Sequence, residues 1–111
     1  MRATYGFRAT MTARPGKGDE LVDLLISVTT GARPALSEHC VLYLVGRSAS
    51  DRDVVHVTEG WTTKEAHAEN FASAQARAFL AKIAPLIEDG TQYQDEVPVG
   101  GRLLEGWGRC G

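Results

Sequence analysis

Hydrophobic and polar positions alternate cleanly from Thr4 to Ala13. Tyr5, Phe7, Ala9 and Met11 fall on one face, and Gly6, Arg8, Thr10 and Thr12 on the other. A period of two predicts a strand with one buried side. Arg14-Pro15-Gly16-Lys17-Gly18 ends it, since proline and glycine punctuate a turn. The period then changes. Leu21, Leu24, Leu25 and Val28 recur at helical spacing behind Asp19 and Glu20, carboxylates suited to a helix N-terminus. Gly31 and Pro34 bracket the end of that helix. Cys40 to Arg47 predicts a second strand that is apolar on both sides, with Cys40, Leu42 and Leu44 on one and Val41, Tyr43 and Val45 on the other. A polar loop, 48–52, leads to a third strand from Asp53 to Trp61, a hairpin partner of the second. Helix is predicted from about Thr63 to Ala72 and again from about Ala74 to Ala84, with Phe79, Ile83 and Leu86 on one stripe. Thr91 to Val97 reads as a fourth strand.

The order β-α-β-β-α-β predicts an α+β, ferredoxin-like fold: a four-stranded antiparallel sheet with helices on one face. Residues 1–99 form the expected domain, and 100–111, with Trp107 and Cys110, a C-terminal tail. Two helices cover only one side of such a sheet. Apolar residues on both faces of the second strand, and Val54 against Val55 and Val57 in the third, ask for a cover on the other. A second copy of the chain supplies it, so a homodimer is expected.

Composition narrows the function classes. A chain of 111 residues suits one domain with a modest core. A formal net charge of −2 argues against a nucleic-acid binder working through a basic face. No apolar run approaches the roughly 20 residues that span a bilayer, and the N-terminus enters a strand pattern rather than a signal peptide. Cys40 and Cys110 stand too far apart to read as a disulfide framework or a metal motif. A cytoplasmic protein without membrane or nucleic-acid partners is expected.

Chemistry is carried by one stretch. Val54-Val55-His56-Val57-Thr58-Glu59-Gly60-Trp61 is followed by Thr62-Thr63-Lys64-Glu65-Ala66-His67-Ala68-Glu69-Asn70, and later by Pro85-Leu86. This resembles the antibiotic biosynthesis monooxygenase family, whose members end a strand in Glu-x-Trp, continue into a short helix, and carry Pro-Leu near the close of the next. The likeness covers most of Tyr5 to Leu86, including Arg14-Pro15-Gly16-Lys17 before an amphipathic helix and the Cys40-Val41-Leu42-Tyr43 strand. It implies a dimeric α+β barrel in which two sheets pack together. It also implies oxygenation of a quinol-like or polyketide-derived aromatic small molecule by dioxygen, with no cofactor: no haem, flavin or metal. Many such sequences carry a histidine nine residues after the tryptophan, where this chain has Asn70; His67 stands one helical turn earlier. Haem-degrading relatives place a second tryptophan at the position of Asn70 and an iron-ligating histidine at that of Leu80. Leucine offers no axial donor, so that branch is set aside.

Under this resemblance Trp61, Asn70 and His67 are the candidate catalytic residues. Trp61 would stack on the substrate or donate its indole N–H, Asn70 would orient substrate oxygens, and His67 would act as base near neutral pH. Each also has a plainer use, as a core aromatic with a satisfied donor, a solvated helix residue or an ordinary histidine. His56, on a strand face with Val54 and Thr58, is the other candidate base. Tyr43, His56, Arg8 and Phe71 are candidate substrate contacts. Arg8 has an alternative partner in Glu59 across the sheet, because charges in half-buried strands are usually paired. The Gly16-x-Gly18 turn lacks the spacing of a phosphate loop, and no Ser-His-Asp or Cys-His set is present. An isomerase or cyclase on the same barrel, and a non-catalytic small-molecule-binding dimer, stay open, since fold does not dictate reaction.

Overall fold

The computed structural model describes residues 2–29 and 37–101. Its elements are β1 (Tyr5–Thr12), α1 (Gly18–Ser27), β2 (Cys40–Arg47), β3 (Val54–Trp61), α2 (Lys64–Phe71), α3 (Ala74–Ile83) and β4 (Gln92–Glu96), with a 3-10 turn at Ala84–Leu86. The sheet order is β2-β3-β1-β4 and every neighbouring pair is antiparallel. This is the ferredoxin-like α+β arrangement. The expected bracketing of α1 by Gly31 and Pro34, and the tail residues Trp107 and Cys110, lie outside the described residues.

Local chemistry sets the helix starts. The Thr63 side chain accepts the Ala66 N–H, and the Ser73 side chain accepts the Ala76 N–H, so each short helix begins at its own cap. α1 has no cap from its own chain end. Asp53, at the foot of β3, accepts the Gly16 and Gly18 N–H groups instead, tying a helix start to a strand start. The fit is close: a Cβ on Gly18 would run into the Arg52 carbonyl.

The core lies between the helices and one face of the sheet. Phe7, Ala9 and Met11 of β1 meet Val55, Val57 and Trp61 of β3, with Leu21 and Leu25 of α1 and Ile83 of α3 above them. Burying one such aliphatic side chain contributes about 1.5–3 kcal/mol. The alternation of β1 is as expected, with Arg8 and Thr12 exposed between buried neighbours.

β2 departs from the expectation. Its pairing runs Cys40 with Trp61 and then Leu42 with Gly60, so Val41 is an extra, unpaired residue. Such a bulge shifts the parity of a strand. Cys40 therefore joins Tyr43 and Val45 against the core, rather than sharing a face with Leu42 and Leu44. Leu42 and Leu44 pair with Gly60 and Thr58 on the opposite face, where both stay partly exposed.

Candidate functional site

A cavity of about 360 Å³ opens between the helices and the core-facing side of the sheet. Tyr5 and Phe7 of β1, Tyr43 of β2 and Val57, Glu59 and Trp61 of β3 form much of its floor. α2 contributes His67, Asn70 and Phe71 to its roof, and α3 contributes Gln75, Phe79 and Leu80. Tyr93 and Asp95 of β4 stand at one side. Phe71, Leu80 and Tyr93 are large apolar side chains left 37–65% exposed, an arrangement that marks the mouth.

His67 sits inside a cage of rings. Its imidazole meets Phe7 edge-on at 4.9 Å and Trp61 edge-on at 5.2 Å, with Tyr5 at 5.7 Å and Phe71 at 5.9 Å. Neither ring nitrogen has a hydrogen-bond partner among the described residues. Burial lowers its pKa from the ordinary 6.5, more than the nearby Asp95 raises it, so the neutral imidazole is the favoured form near pH 7. A neutral, unpartnered imidazole in an apolar cage can accept a proton from a bound hydroxyl. Asn70 follows one turn later and lines the same cavity.

Trp61 is only 1% exposed, and its indole N–H already donates to Glu59 Oε1 at 2.8 Å. It is a core residue whose ring forms a wall, and its donor is not free for a ligand. Glu59 is largely enclosed; burial pushes its carboxyl pKa up, and the indole N–H partly offsets this. Tyr43 lines the cavity with its ring, but its hydroxyl donates to the Leu25 carbonyl at 2.9 Å. Burial, then the proximity of Glu59, raise its pKa. At the rim, the Tyr5 hydroxyl donates to Asp95 Oδ1 at 3.2 Å.

Two expected substrate contacts lie elsewhere. His56 and Arg8 are on the opposite face of the sheet, because alternation sends their side chains away from Val55, Val57 and Phe7. His56 Nδ1 is 3.0 Å from Thr10 Oγ1 there, and Arg8 is exposed. The same alternation rules out the ion pair between Arg8 and Glu59, whose side chains leave the sheet on opposite sides. Glu59, expected only as an alternative partner of Arg8, is instead a polar group of the cavity. The signal was present, since Glu59 falls in phase with Val57 and Trp61.

Among the described residues no three His, Cys, Asp or Glu side chains converge as a metal site would require. No helix among them is long and apolar enough to cross a membrane.

A ferredoxin-like domain with an aromatic cavity between sheet and helices defines the class. The sequence model of the antibiotic biosynthesis monooxygenases matches residues 4–82, which hold the cavity walls from Tyr5 to Leu80. The chain belongs to the antibiotic biosynthesis monooxygenase family. Among solved structures, it is similar to a candidate antibiotic biosynthesis monooxygenase from Chloroflexus aurantiacus J-10-fl, at 28% identity and a TM-score of 0.75, covering 90% of this chain and 97% of the other. A second, from Caulobacter crescentus CB15, shares 19% identity at a TM-score of 0.76, covering 89% and 92%. A conserved protein of unknown function from Bacteroides thetaiotaomicron VPI-5482 shares 18% identity at a TM-score of 0.72, covering 87% and 99%. The last two likenesses concern the fold alone. No curated protein matches the chain.

Proposed function

We propose that this protein is a cofactor-independent monooxygenase acting on a quinol-like or polyketide-derived aromatic small molecule. The observation that carries the reading is His67, an imidazole whose neutral form burial favours, without a hydrogen-bond partner among the described residues and held inside an aromatic cavity. A hydroxylated aromatic becomes electron-rich once deprotonated and passes electrons to O₂ directly. The balance is simple: a hydroquinone-type ring gains one oxygen atom and ends as a hydroxyquinone, and the second oxygen leaves as water. His67 takes the phenolic proton. Asn70 orients the substrate oxygens, the rings of Trp61, Tyr43 and Phe71 hold the aromatic plane, and the apolar walls limit access of water. Oxygen consumption with a panel of quinols tests the reading. Uptake proportional to enzyme, with one oxygen atom of labelled O₂ in the product, is the expected result. Binding of quinols without any uptake would overturn it.

The reading includes a homodimer joined through the sheets. Its support is the pair Leu42 and Leu44, apolar and partly exposed on the sheet face opposite the described helices. Sedimentation at micromolar concentration is expected to give a dimer; a stable monomer there sinks the idea. The purified protein is also expected to carry no stoichiometric haem, flavin or metal. A visible absorption band, or elemental analysis finding a full equivalent of iron, copper or zinc, counts against the cofactor-free mechanism. The reading is of a cytoplasmic enzyme, which fractionation of the source cells tests.

A further inference from the structure

The cavity has one-sided charge. Its ionisable lining groups are Glu59, Asp95, His67 and tyrosines, and among the described residues no lysine or arginine belongs to the wall. Lys64 lies over the Tyr5 ring at 5.9 Å from its centre and is not part of the lining. Glu59 is the polar group of the floor. One of its oxygens accepts the Trp61 N–H; the other has no donor among the described residues and is not sealed from the cavity. We propose that this site selects uncharged hydroxylated aromatics over anionic analogues, and that Glu59 both hydrogen-bonds a substrate hydroxyl and enforces the selection. The inference rests on the quinol reading above for the kind of ligand, and adds which members of that class are taken.

The physical reasons are three. An anionic substituent loses its hydration on entering an apolar cavity and, among the described lining residues, meets no lysine or arginine that offsets the loss. Carboxyl groups stand at both the floor and the rim, Glu59 and Asp95, so the acidic groups of the lining repel it rather than attract it. A hydroxyl, by contrast, finds a partner in Glu59 in either protonation state, as acceptor when ionised and as donor when protonated. Burial, which favours the protonated form, leaves this match intact. Proton transfer fits the same rule. When His67 takes a phenolic proton, imidazolium and phenolate cancel, so a neutral substrate leaves the cavity's total charge unchanged. An anionic substrate would add an uncompensated negative charge at every step.

The test compares a matched pair of ligands, naphthalene-1,4-diol and the same diol bearing a 2-carboxylate. Affinities are measured under argon by isothermal titration, with the wild-type chain and with Glu59→Gln. The wild type is expected to bind the neutral diol roughly ten-fold tighter or more. In Glu59→Gln that ratio should shrink several-fold while the thermal melt still shows a folded protein. Equal affinities, tighter binding of the carboxylate, no binding of either ligand, or an unchanged ratio in folded Glu59→Gln would each overturn the proposal. Should Glu59→Gln fail to fold, the methyl ethers of the diol give a reading on the wild type alone. Loss of affinity on methylating one hydroxyl is expected, and no loss with either ether sinks the role of Glu59. Because oxygen is absent, the two readings separate. Discrimination without later oxygen uptake overturns the oxygenase and leaves this inference standing; uptake without discrimination does the reverse.

Discussion

Replacing His67 by alanine is expected to lower turnover by about 10²- to 10⁴-fold, the usual worth of a positioned general base. The effect should fall on kcat far more than on KM, because a base acts on the way to the transition state. Steady-state oxygen uptake checks this. The pH profile sharpens it. Burial depresses the His67 pKa, and a base works in its neutral form, so the wild-type rate should hold to lower pH than an ordinary imidazole would allow. It should fall on acidification only through a value below 6.5. The alanine variant should lack that acid limb. Unchanged turnover in His67→Ala would remove it from the mechanism. Stability carries the same sign: below pH 6.5 the unfolded chain protonates this histidine more readily than the folded one, so acid costs the folded state free energy there. Glu59 acts oppositely. Its raised pKa gives stability that is present below the ordinary 4.5 and is lost as pH rises through the folded value.

The largest effect on stability is expected from Trp61→Ala. Its ring is fully buried, and emptying such a site typically costs about 3–5 kcal/mol. Domains of this kind have only about 5–15 kcal/mol in all. Denaturant titration should therefore show a large fall in midpoint or a chain unfolded at 25 °C. Trp61→Phe is the informative companion. It keeps most of the packing but deprives Glu59 of its donor at the cavity floor. A loss of about 1–3 kcal/mol, the cost of an unsatisfied buried group, is expected. If both variants melt like the parent, the indole is not part of the core.

The fold was legible because its signals are local and periodic. The alternation from Tyr5 to Met11, the Pro-Gly turn and the helical spacing of Leu21 and Leu25 each fix an element without tertiary information. The cavity was legible in part. His67 and Asn70 come together because they are three apart on one helix, and the strand end at Trp61 leads straight into that helix. What failed was the assignment of sides. His56 and Arg8 are ordinary candidates by residue type, yet alternation alone places them opposite Val57 and Phe7. Glu59 was given to Arg8 by charge, when phase gives it to Trp61. The half-exposed rings of Phe71 and Tyr93 are a different matter. Only the placement of α2 and an edge strand around one cavity makes them a mouth, and no spacing within either segment encodes that placement.

The unpaired Val41 has a consequence for how this chain tolerates changes of length. Removing one residue from a strand normally turns everything beyond it inside out. At Val41 it does not. With that residue gone, Cys40 and Leu42 become adjacent while their partners, Trp61 and Gly60, already are. The ladder closes up, and Cys40, Leu42, Tyr43 and Val45 each keep the neighbour and the side they have now. The same deletion made three residues later, at Leu44, would leave Tyr43 beside Val45, two residues that need the same side. Length drift in this strand thus has a safe position, set by a residue that contributes nothing to the pairing it interrupts.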